Sequence, residues 1–386
     1  MSPESLRAHY RHFLREGRVL LTGHSHQAWP DVAREAALEA FDDAAAHVDD
    51  KWSRAFDAAE DVRRAIASRI AGDPRQVALG ANTHELVTRF LSAIPAGRRR
   101  HLVTSGGEFH SIRRQLRRLR EEGVAVDVVE PAPVETLAER LAARVGPDTG
   151  AVLVSSVLFE TSSVVPHLAT LAGVCASRGA LLLVDVYHAY NVVPFALRDL
   201  GADVFVVGGG YKYAQYGEGV CFLSVPAGCA LRPVYTGWFA DFAHLAAPDV
   251  GAVTYAADGA ERFAGATYDP TSHYRARAVA RFFDAQGLSP EALRATSLAQ
   301  TRRILDALDR AGMDVRTPRE DHARGGFVAV RVDDAGAVCE ALRGEEVFVD
   351  SRGDCVRLGP APYLTDDEID RGVARFIARA VAPRSR

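Results

Sequence analysis

The chain has 386 residues, which is enough to bury a large core and to form more than one domain. Hydrophobic residues make up 48% and charged residues 25%, as is typical of globular proteins. With 46 Lys and Arg against 50 Asp and Glu, the net charge is −4, so the basic face that nucleic-acid binding requires is not indicated. No apolar run reaches the length of a membrane span. We therefore expect neither a nucleic-acid nor a membrane partner.

The N-terminal segment is charged throughout and lacks the apolar stretch of a secretory signal, so we expect a cytoplasmic location. The cysteines are scattered, in neither a metal-binding nor a disulfide pattern, at Cys175, Cys221, Cys229, Cys339 and Cys355. A reducing compartment and no metal site are the simplest interpretation.

Strand and helix patterns alternate along most of the chain, which predicts an α/β fold with a mainly parallel sheet. The strands are short and almost wholly apolar, as expected for a sheet covered on both faces. They are predicted at residues 76–79, 100–104, 125–129, 151–155, 180–185, 203–207 and 222–224. Helices are predicted between them at residues 85–94, 112–122, 134–144 and 168–178.

The last third has a different pattern and predicts a smaller α+β domain. Its helices are predicted at 272–286, 290–311, 335–343 and 365–380, and its strands at 326–332, 346–350 and 355–358. A helix at 3–15 is expected to join this domain. The predicted division is an N-terminal segment at 1–45, a large domain at 46–270 and a small domain at 271–386.

The stretch from Leu181 to Gly219 carries the strongest chemical signal. A buried strand ends at Asp185, and His188 follows three residues later. After the next strand, a glycine-rich loop carries Tyr211 and Lys212. Ligands of open α/β sheets bind beyond the carboxyl ends of the strands, where these residues fall. A buried carboxylate needs a cationic partner, and a desolvated lysine is a competent imine-forming amine.

Each of these signals alone has an ordinary explanation. A strand-end aspartate such as Asp185 often caps the following helix, and many lysines in glycine-rich loops are merely exposed. A P-loop is excluded because no Ser or Thr follows Lys212 and the glycine spacing is wrong. The GxGxxG turn of a dinucleotide-binding unit is also missing.

Asp185 and His188 form a D-x-x-H motif, and Lys212 follows 27 residues after Asp185. This joint arrangement resembles the class V branch of fold-type I pyridoxal 5′-phosphate (PLP) enzymes. The resemblance is to kynureninase in particular and covers most of the chain. It implies the fold-type I PLP-dependent transferase fold, in which the large domain has a mainly parallel sheet and a smaller α+β domain packs beside it.

Further motifs carry the same resemblance. Thr83 and His84 precede a helix, where backbone N–H groups can hold a phosphate, and resemble the family's phosphate cup. Phe109 stands where kynureninases place the aromatic ring that stacks on the cofactor, and Ser111 follows it as in them.

Later segments extend the resemblance. Trp238, in the motif Gly-Trp-Phe, matches a tryptophan that reaches the cofactor phosphate, and Thr267 matches a residue that crosses a dimer interface. Residues 349–352 and 356–363 resemble the kynureninase pattern D-x-R…R-x-A-P-x-P-x-Y. Arg357 aligns with the arginine that binds the substrate carboxylate, and a guanidinium binds carboxylates through two parallel hydrogen bonds.

Two segments depart from the kynureninase pattern. The entry motif G-N-S-L-G is replaced by a segment that contains His24 and Ser25. The motif F-P-S-D reads Phe-His-Ser-Ile from Phe109, which loses one acid near the cofactor. Both changes affect parts expected to contact the substrate or to tune the cofactor ring. We therefore expect His24 and Ser25 to contact the substrate. We also expect kynurenine to be a poor substrate, or not a substrate at all.

The resemblance also implies a role for each residue. Lys212 would form the Schiff base with PLP and then act as the base at the substrate Cα, while Asp185 would keep the pyridine nitrogen protonated. His188 would hydrogen-bond the phenolic oxygen of the ring. The remaining cofactor contacts would come from Tyr211, Thr83, His84, Phe109, Ser111, Trp238 and Thr267. The protein would be a homodimer with active sites at the interface.

A kynureninase-like enzyme would hydrolyse the Cβ–Cγ bond of a γ-oxo amino acid to alanine and an acid. The alternatives are a class V aminotransferase, a β-eliminating C–S lyase or desulfurase, and an altered enzyme of specialised metabolism. A desulfurase would carry a nucleophilic cysteine on a loop well before Arg357, whereas Cys355 is two residues away on a predicted strand and Cys339 lies in a predicted helix. A non-enzymatic protein of this fold would have lost Lys212.

Overall fold

The computed structural model describes residues 2–246, 251–257 and 259–381. Its strands are β1 (Val19–Leu20), β2 (Val77–Gly80), β3 (His101–Ser105), β4 (Ala125–Val129), β5 (Thr149–Ser155), β6 (Leu181–Asp185), β7 (Val204–Gly209), β8 (Cys221–Ser224), β9 (Val328–Arg331), β10 (Val347–Phe348), β11 (Asp350–Arg352) and β12 (Cys355–Leu358). Its helices are α1 (Pro3–Arg7), α2 (Val32–His47), α3 (Lys51–Ile70), α4 (Thr83–Ala93), α5 (His110–Glu121), α6 (Leu137–Ala142), α7 (Leu168–Ser177), α8 (Thr271–Ala285), α9 (Pro290–Arg310), α10 (Ala335–Gly344) and α11 (Asp366–Ala380).

The central sheet of the described chain has the strand order β2-β8-β7-β6-β5-β3-β4. Strands β3 to β7 run parallel to one another, whereas β8 is antiparallel to both β7 and β2. The predicted α/β fold with a mainly parallel sheet is therefore confirmed. The parallel strands place their carboxyl ends at one edge of the sheet, where ligands of such folds bind.

Alternate residues of β5 show how the sheet is buried. Val152 and Val154 face the core formed with α3, α6 and α7, whereas Ala151 and Leu153 face the core formed with α4 and α5. Successive side chains of a strand point to opposite faces, so a strand covered on both sides must be apolar throughout. Each fully buried Val or Leu stabilises the fold by about 1.5–3 kcal/mol.

A second, smaller sheet forms near the C-terminus, with the antiparallel order β11-β12-β9. Beside it, β1 pairs in parallel with β10, and a bridge between Thr22 and Gly359 continues this contact. The N-terminal segment therefore lies against the C-terminal strands, and the domain boundaries at residues 45 and 270 stay a prediction. Within the described residues, none of the helices combines the length and hydrophobicity needed to cross a lipid bilayer.

Two predictions about local structure are wrong. The N-terminal helix ends at Arg7 rather than at residue 15, because the chain turns to meet Asp31: the N–H groups of Arg11 and His12 donate to its carboxylate, each at 3.4 Å. The strand predicted at 346–350 is two short strands, because β10 pairs with β1 whereas β11 pairs with β12.

Candidate active site

A cavity of about 260 Å³ opens at the carboxyl ends of the parallel strands, next to the start of α4. Most of the predicted cofactor-binding residues line it: Thr83, His84, Phe109, Ser111, Asp185, His188, Tyr211 and Lys212. These residues come from widely separated segments, and the sheet brings them together because each follows a strand that ends at this edge.

Lys212 lies in the loop after β7, buried within the cavity wall. Its Nζ is 4.8, 5.3 and 5.7 Å from the ring centres of Tyr211, Tyr187 and Phe109. Burial, followed by the charge of Arg357, lowers the pKa of Lys212 from 10.5 to about 7. A large fraction of this amine is therefore neutral and nucleophilic near neutral pH.

The glycine run before Lys212 allows this close packing. A Cβ atom at Gly209 would overlap the hydroxyl end of Tyr187, and one at Gly210 would overlap the ring of Tyr216. Only glycine lets the backbone approach these rings so closely. The glycine-rich pattern is thus a packing requirement that fixes where Lys212 stands.

Asp185 ends β6 and is buried, with its carboxylate accepting a hydrogen bond of 2.8 Å from the Tyr187 backbone N–H. Burial raises the pKa of Asp185 from 3.8 to about 6, although that bond and the charge of Lys212 oppose the shift. A carboxylate in this position is stabilised by a cation that enters the cavity, and a protonated pyridine nitrogen is such a cation.

His188 follows Asp185 and is also buried against the cavity. Its Nδ1 atom has no hydrogen-bond partner among the described residues, and burial holds the pKa of the ring well below its usual value. A buried polar atom without a partner costs about 1–3 kcal/mol. Because His188 lines the cavity, a bound group can supply this partner, and the donor set fits PLP.

The start of α4 forms the other end of the cavity. Asn82 caps the helix by accepting a 3.0 Å hydrogen bond from the Glu85 N–H, and Thr83 and His84 form the first turn. The first N–H groups of a helix and its dipole favour a phosphate. The Gln115 side chain lies 3.0 Å from Nδ1 of His84 and can orient its ring.

The predicted substrate-binding residues lie behind the cavity rather than in its lining. Arg357 is almost fully buried, with its Nε and Nη2 atoms 2.9 and 2.5 Å from the two carboxylate oxygens of Asp350. His24 contacts the same carboxylate. Burial raises the pKa of Asp350, but the hydrogen bonds from His24 and Arg357 and the charge of Arg357 hold it well below its usual range. Ser25 donates to the carbonyl of Thr22 and is not brought to the cavity.

Trp238 and Thr267 are also outside the cavity formed by their own chain. Both are exposed. Trp238 packs on Phe239 and Phe242, with ring centres 4.3 and 5.4 Å away, and Phe56 joins Phe242 at 5.7 Å. We call these four rings, Phe56, Trp238, Phe239 and Phe242, the aromatic patch.

Sequence reasoning missed Glu108, a buried acid directly before Phe109. It is fully buried, and its carboxyl accepts hydrogen bonds from the Ser105 hydroxyl at 2.5 Å and from the Ser155 hydroxyl and N–H at 2.6 and 3.1 Å. Burial raises the pKa of Glu108 to about 7 despite these bonds, and the charge of Asp185 adds to the shift. An acid directly before Phe109, in a turn after a buried strand, was the available signal.

Comparisons with known proteins support a kynureninase-like class V PLP enzyme and its fold. A family model described as the kynureninase C-terminal domain matches residues 293–376. Kynureninase of Geobacillus thermodenitrificans is 25% identical over 83% of this chain and 78% of its own length. The uncharacterised aminotransferase YcbU of Bacillus subtilis is 22% identical over 89% of this chain and 90% of its own. The solved cystine C–S lyase C-DES, in complex with cysteine persulfide, has the same fold, with a TM-score of 0.83 and 20% identity over 95% of this chain and 99% of that one.

Proposed function

We propose that this chain, which is similar to kynureninases and other class V enzymes, is a PLP-dependent enzyme that hydrolyses the Cβ–Cγ bond of an L-amino acid with a γ-carbonyl group. The observation that carries this proposal is that buried Lys212 and Asp185 share one cavity, in a chain whose Arg357 segment lies within the kynureninase match. PLP, when bound, withdraws electrons from the substrate Cα.

We assign the cofactor-binding roles from the cavity lining. Lys212 and Asp185 line the cavity, where the amine of Lys212 would hold the cofactor and the carboxylate of Asp185 would pair with its pyridine nitrogen. The first turn of α4, with Thr83, would bind the phosphate, and Phe109 would provide an apolar surface for the ring. His188 donates or accepts the hydrogen bond that its buried Nδ1 lacks within the chain.

Lys212 is also the group that moves the substrate proton. Its pKa of about 7 lets the free amine accept a proton from Cα and return it within the working range of a general base. Phe109, Phe159 and Tyr187 line the same cavity, and their apolar surfaces limit the water around this amine.

The reaction requires the γ-carbonyl. Water adds its oxygen to Cγ, the Cβ–Cγ bond breaks, and Cγ leaves as a carboxylic acid. Cβ takes up a proton, so that the amino acid becomes alanine. Arg357 is assigned to the α-carboxylate, for which its outer N–H edge is suited.

Two alternative reactions, amino transfer and β-elimination, can be tested by the same experiment as hydrolysis. The aminotransferase name of YcbU favours amino transfer, and the fold shared with a cystine C–S lyase favours β-elimination. A desulfurase with a cysteine nucleophile is disfavoured because burial raises the pKa of every cysteine thiol in the chain: Cys175, Cys221, Cys229, Cys339 and Cys355.

The test is to offer kynurenine, 3-hydroxykynurenine and simpler γ-oxo amino acids to the holoenzyme and to identify products by mass spectrometry. Release of alanine with an acid supports hydrolysis. Pyruvate and ammonia without alanine would establish β-elimination, and amino transfer to a 2-oxo acid would establish an aminotransferase.

We also propose that two copies of the chain form a cytoplasmic homodimer with active sites at the interface. The aromatic patch supports this assembly, because exposed clusters of large apolar side chains mark interaction surfaces. In such a dimer Trp238 and Thr267 would complete the partner's phosphate site, which explains why neither lines the cavity of its own chain.

A further inference from the structure

His24 is wholly buried between the N-terminal segment and the C-terminal strands. Its Nε2 lies 2.8 Å from Oδ1 of Asp350, and its ring stacks on Phe327 with centres 4.6 Å apart. Burial lowers the pKa of His24 to about 4, so the ring is neutral at physiological pH. An ionised carboxylate only accepts hydrogen bonds, so the neutral ring carries its proton on Nε2 and donates it to Asp350.

Asp350 connects His24 to Arg357. Its Oδ1 accepts from both His24 and Nε of Arg357, and its Oδ2 accepts from Nη2. Nη1 of Arg357 donates to the carbonyl of Phe159 at 2.6 Å, and Phe159 lines the cavity. A guanidinium has five N–H donors. These bonds use three, which leaves one N–H on each Nη as a donor for a carboxylate.

Gly359 is the residue that makes room for this histidine. Nδ1 of His24 has no hydrogen-bond partner among the described residues, and a Cβ atom on residue 359 would overlap it. The backbone cannot retreat, because Gly23 N–H donates to the Gly359 carbonyl and Gly359 N–H donates to the Leu21 carbonyl, each at 2.8 Å. The His24 ring and the bare Cα of Gly359 therefore depend on each other.

We propose that His24 is a positioning residue for substrate recognition. Its hydrogen bond to Asp350 and its stacking on Phe327 hold the Arg357 guanidinium in the orientation that presents its free N–H edge to the substrate α-carboxylate. The inference rests on the proposed function only in assigning the carboxylate to Arg357.

The test compares the affinity of the holoenzyme for L-alanine and for ethylamine, which lacks the carboxylate, by calorimetry and by the change in cofactor absorbance. His24→Ala should weaken L-alanine binding about tenfold and leave ethylamine binding within error, because only the carboxylate contact is disturbed. His24→Asn, whose amide can still donate to Asp350, should recover part of the loss. His101→Ala is the matched control, since His101 also contacts an aspartate, Asp127 at 3.4 Å, but at the start of β3.

Gly359→Ala should also disrupt the contact between His24 and Asp350, because the added methyl must displace the His24 ring. It should weaken L-alanine binding as His24→Ala does. Combining it with His24→Asn, which is shorter, should restore affinity relative to Gly359→Ala alone. A purely structural role for His24 predicts equal loss of both ligands in step with a lower melting temperature, and that result would overturn the proposal.

Arg357→Lys distinguishes failure of this inference from failure of the proposed function. If L-alanine affinity is unchanged in Arg357→Lys, the carboxylate site lies elsewhere and the inference falls. If γ-oxo substrates never release alanine while L-alanine binding still depends on both Arg357 and His24, the hydrolase assignment falls and the inference stands.

Discussion

Glu108 and Ser155, a residue of the cavity lining, form a buried hydrogen-bonded pair, with the serine hydroxyl 2.6 Å from the carboxyl group. Ser155 is also paired with Asp185 across β5 and β6. Two buried acids, Glu108 and Asp185, are therefore close enough for the charge of one to affect the other. Their pKa values of about 7 and 6 mean that protons reside on these groups in the folded protein at pH values where both are ionised in the unfolded chain.

This pair predicts a stability that falls with pH. The folded pKa of Glu108, about 7, lies above its ordinary value of 4.5, so its contribution is complete below pH 4.5 and is lost as the pH rises to 7. Glu108→Gln, which stays neutral, should remove up to about 3 kcal/mol of this loss in the free energy of unfolding. Urea unfolding of the apoprotein at pH 5 and 8 measures the effect. The exposed substitution Glu122→Gln is the control, and the same pH dependence in both variants would contradict the prediction.

The covalent role of Lys212 has an unusually clean test, because Lys51 is the only other lysine in the sequence. The purified protein should be yellow, and borohydride should fix the cofactor to the Lys212 peptide. Lys212→Ala should be colourless, whereas Lys51→Arg should behave as the wild type because Lys51 is not part of the cavity lining. Peptide mapping by mass spectrometry decides, and a label on Lys51 or on no peptide would refute the assignment.

Asp185→Asn should separate binding from chemistry. The substitution keeps the shape of the side chain, so folding and cofactor content should be largely retained. Loss of the carboxylate beside the pyridine nitrogen should slow exchange of the substrate α-proton with deuterium by about a thousandfold or more. NMR of an amino acid in D₂O measures this exchange. The exposed Asp199→Asn is the control, and near-normal exchange in Asp185→Asn would remove Asp185 from this role.

Shared sites predict complementation between two defective chains. Lys212→Ala and Trp238→Ala homodimers should each be impaired, the second through weaker cofactor binding. In a mixed dimer, one of the two sites combines the intact Lys212 of one chain with the intact Trp238 of the other. Co-expression of the two variants should therefore restore activity in the mixed dimer. Light scattering measures whether the active protein is a dimer. Absence of any recovery, or an active monomer, would mean that each chain builds its site alone.

The bounds of strands were predicted most accurately where the local hydrophobicity of the sequence changes sharply. The strands at Ala125–Val129 and Cys355–Leu358 were placed with correct bounds, because their ends coincide with changes in hydrophobicity. Helix α2 was missed because it buries only alanines and so shows little apolar periodicity. Helix α3 was also missed, although Val62, Ile66 and Ile70 are buried at helical spacing and the local pattern was available.

The site divides in the same way. Asp185 and Lys212 could be predicted because both follow strands whose carboxyl ends must meet at one edge of the sheet. Glu108 and Asp350 could not be given their roles, because their partners lie far along the chain: Ser155 is 47 residues from Glu108, and His24 is 326 residues from Asp350. Only the folded structure reveals that the substituted entry segment supports the arginine.

The large sequence separation between His24 and Asp350 also determines the order in which the parts of the site are synthesised. The residues that line the cavity all precede residue 222, so a ribosome has completed them well before it adds Asp350 and Arg357. His24 is synthesised 326 residues before its partner Asp350. The carboxylate site proposed at Arg357 is therefore completed after the residues that line the cavity.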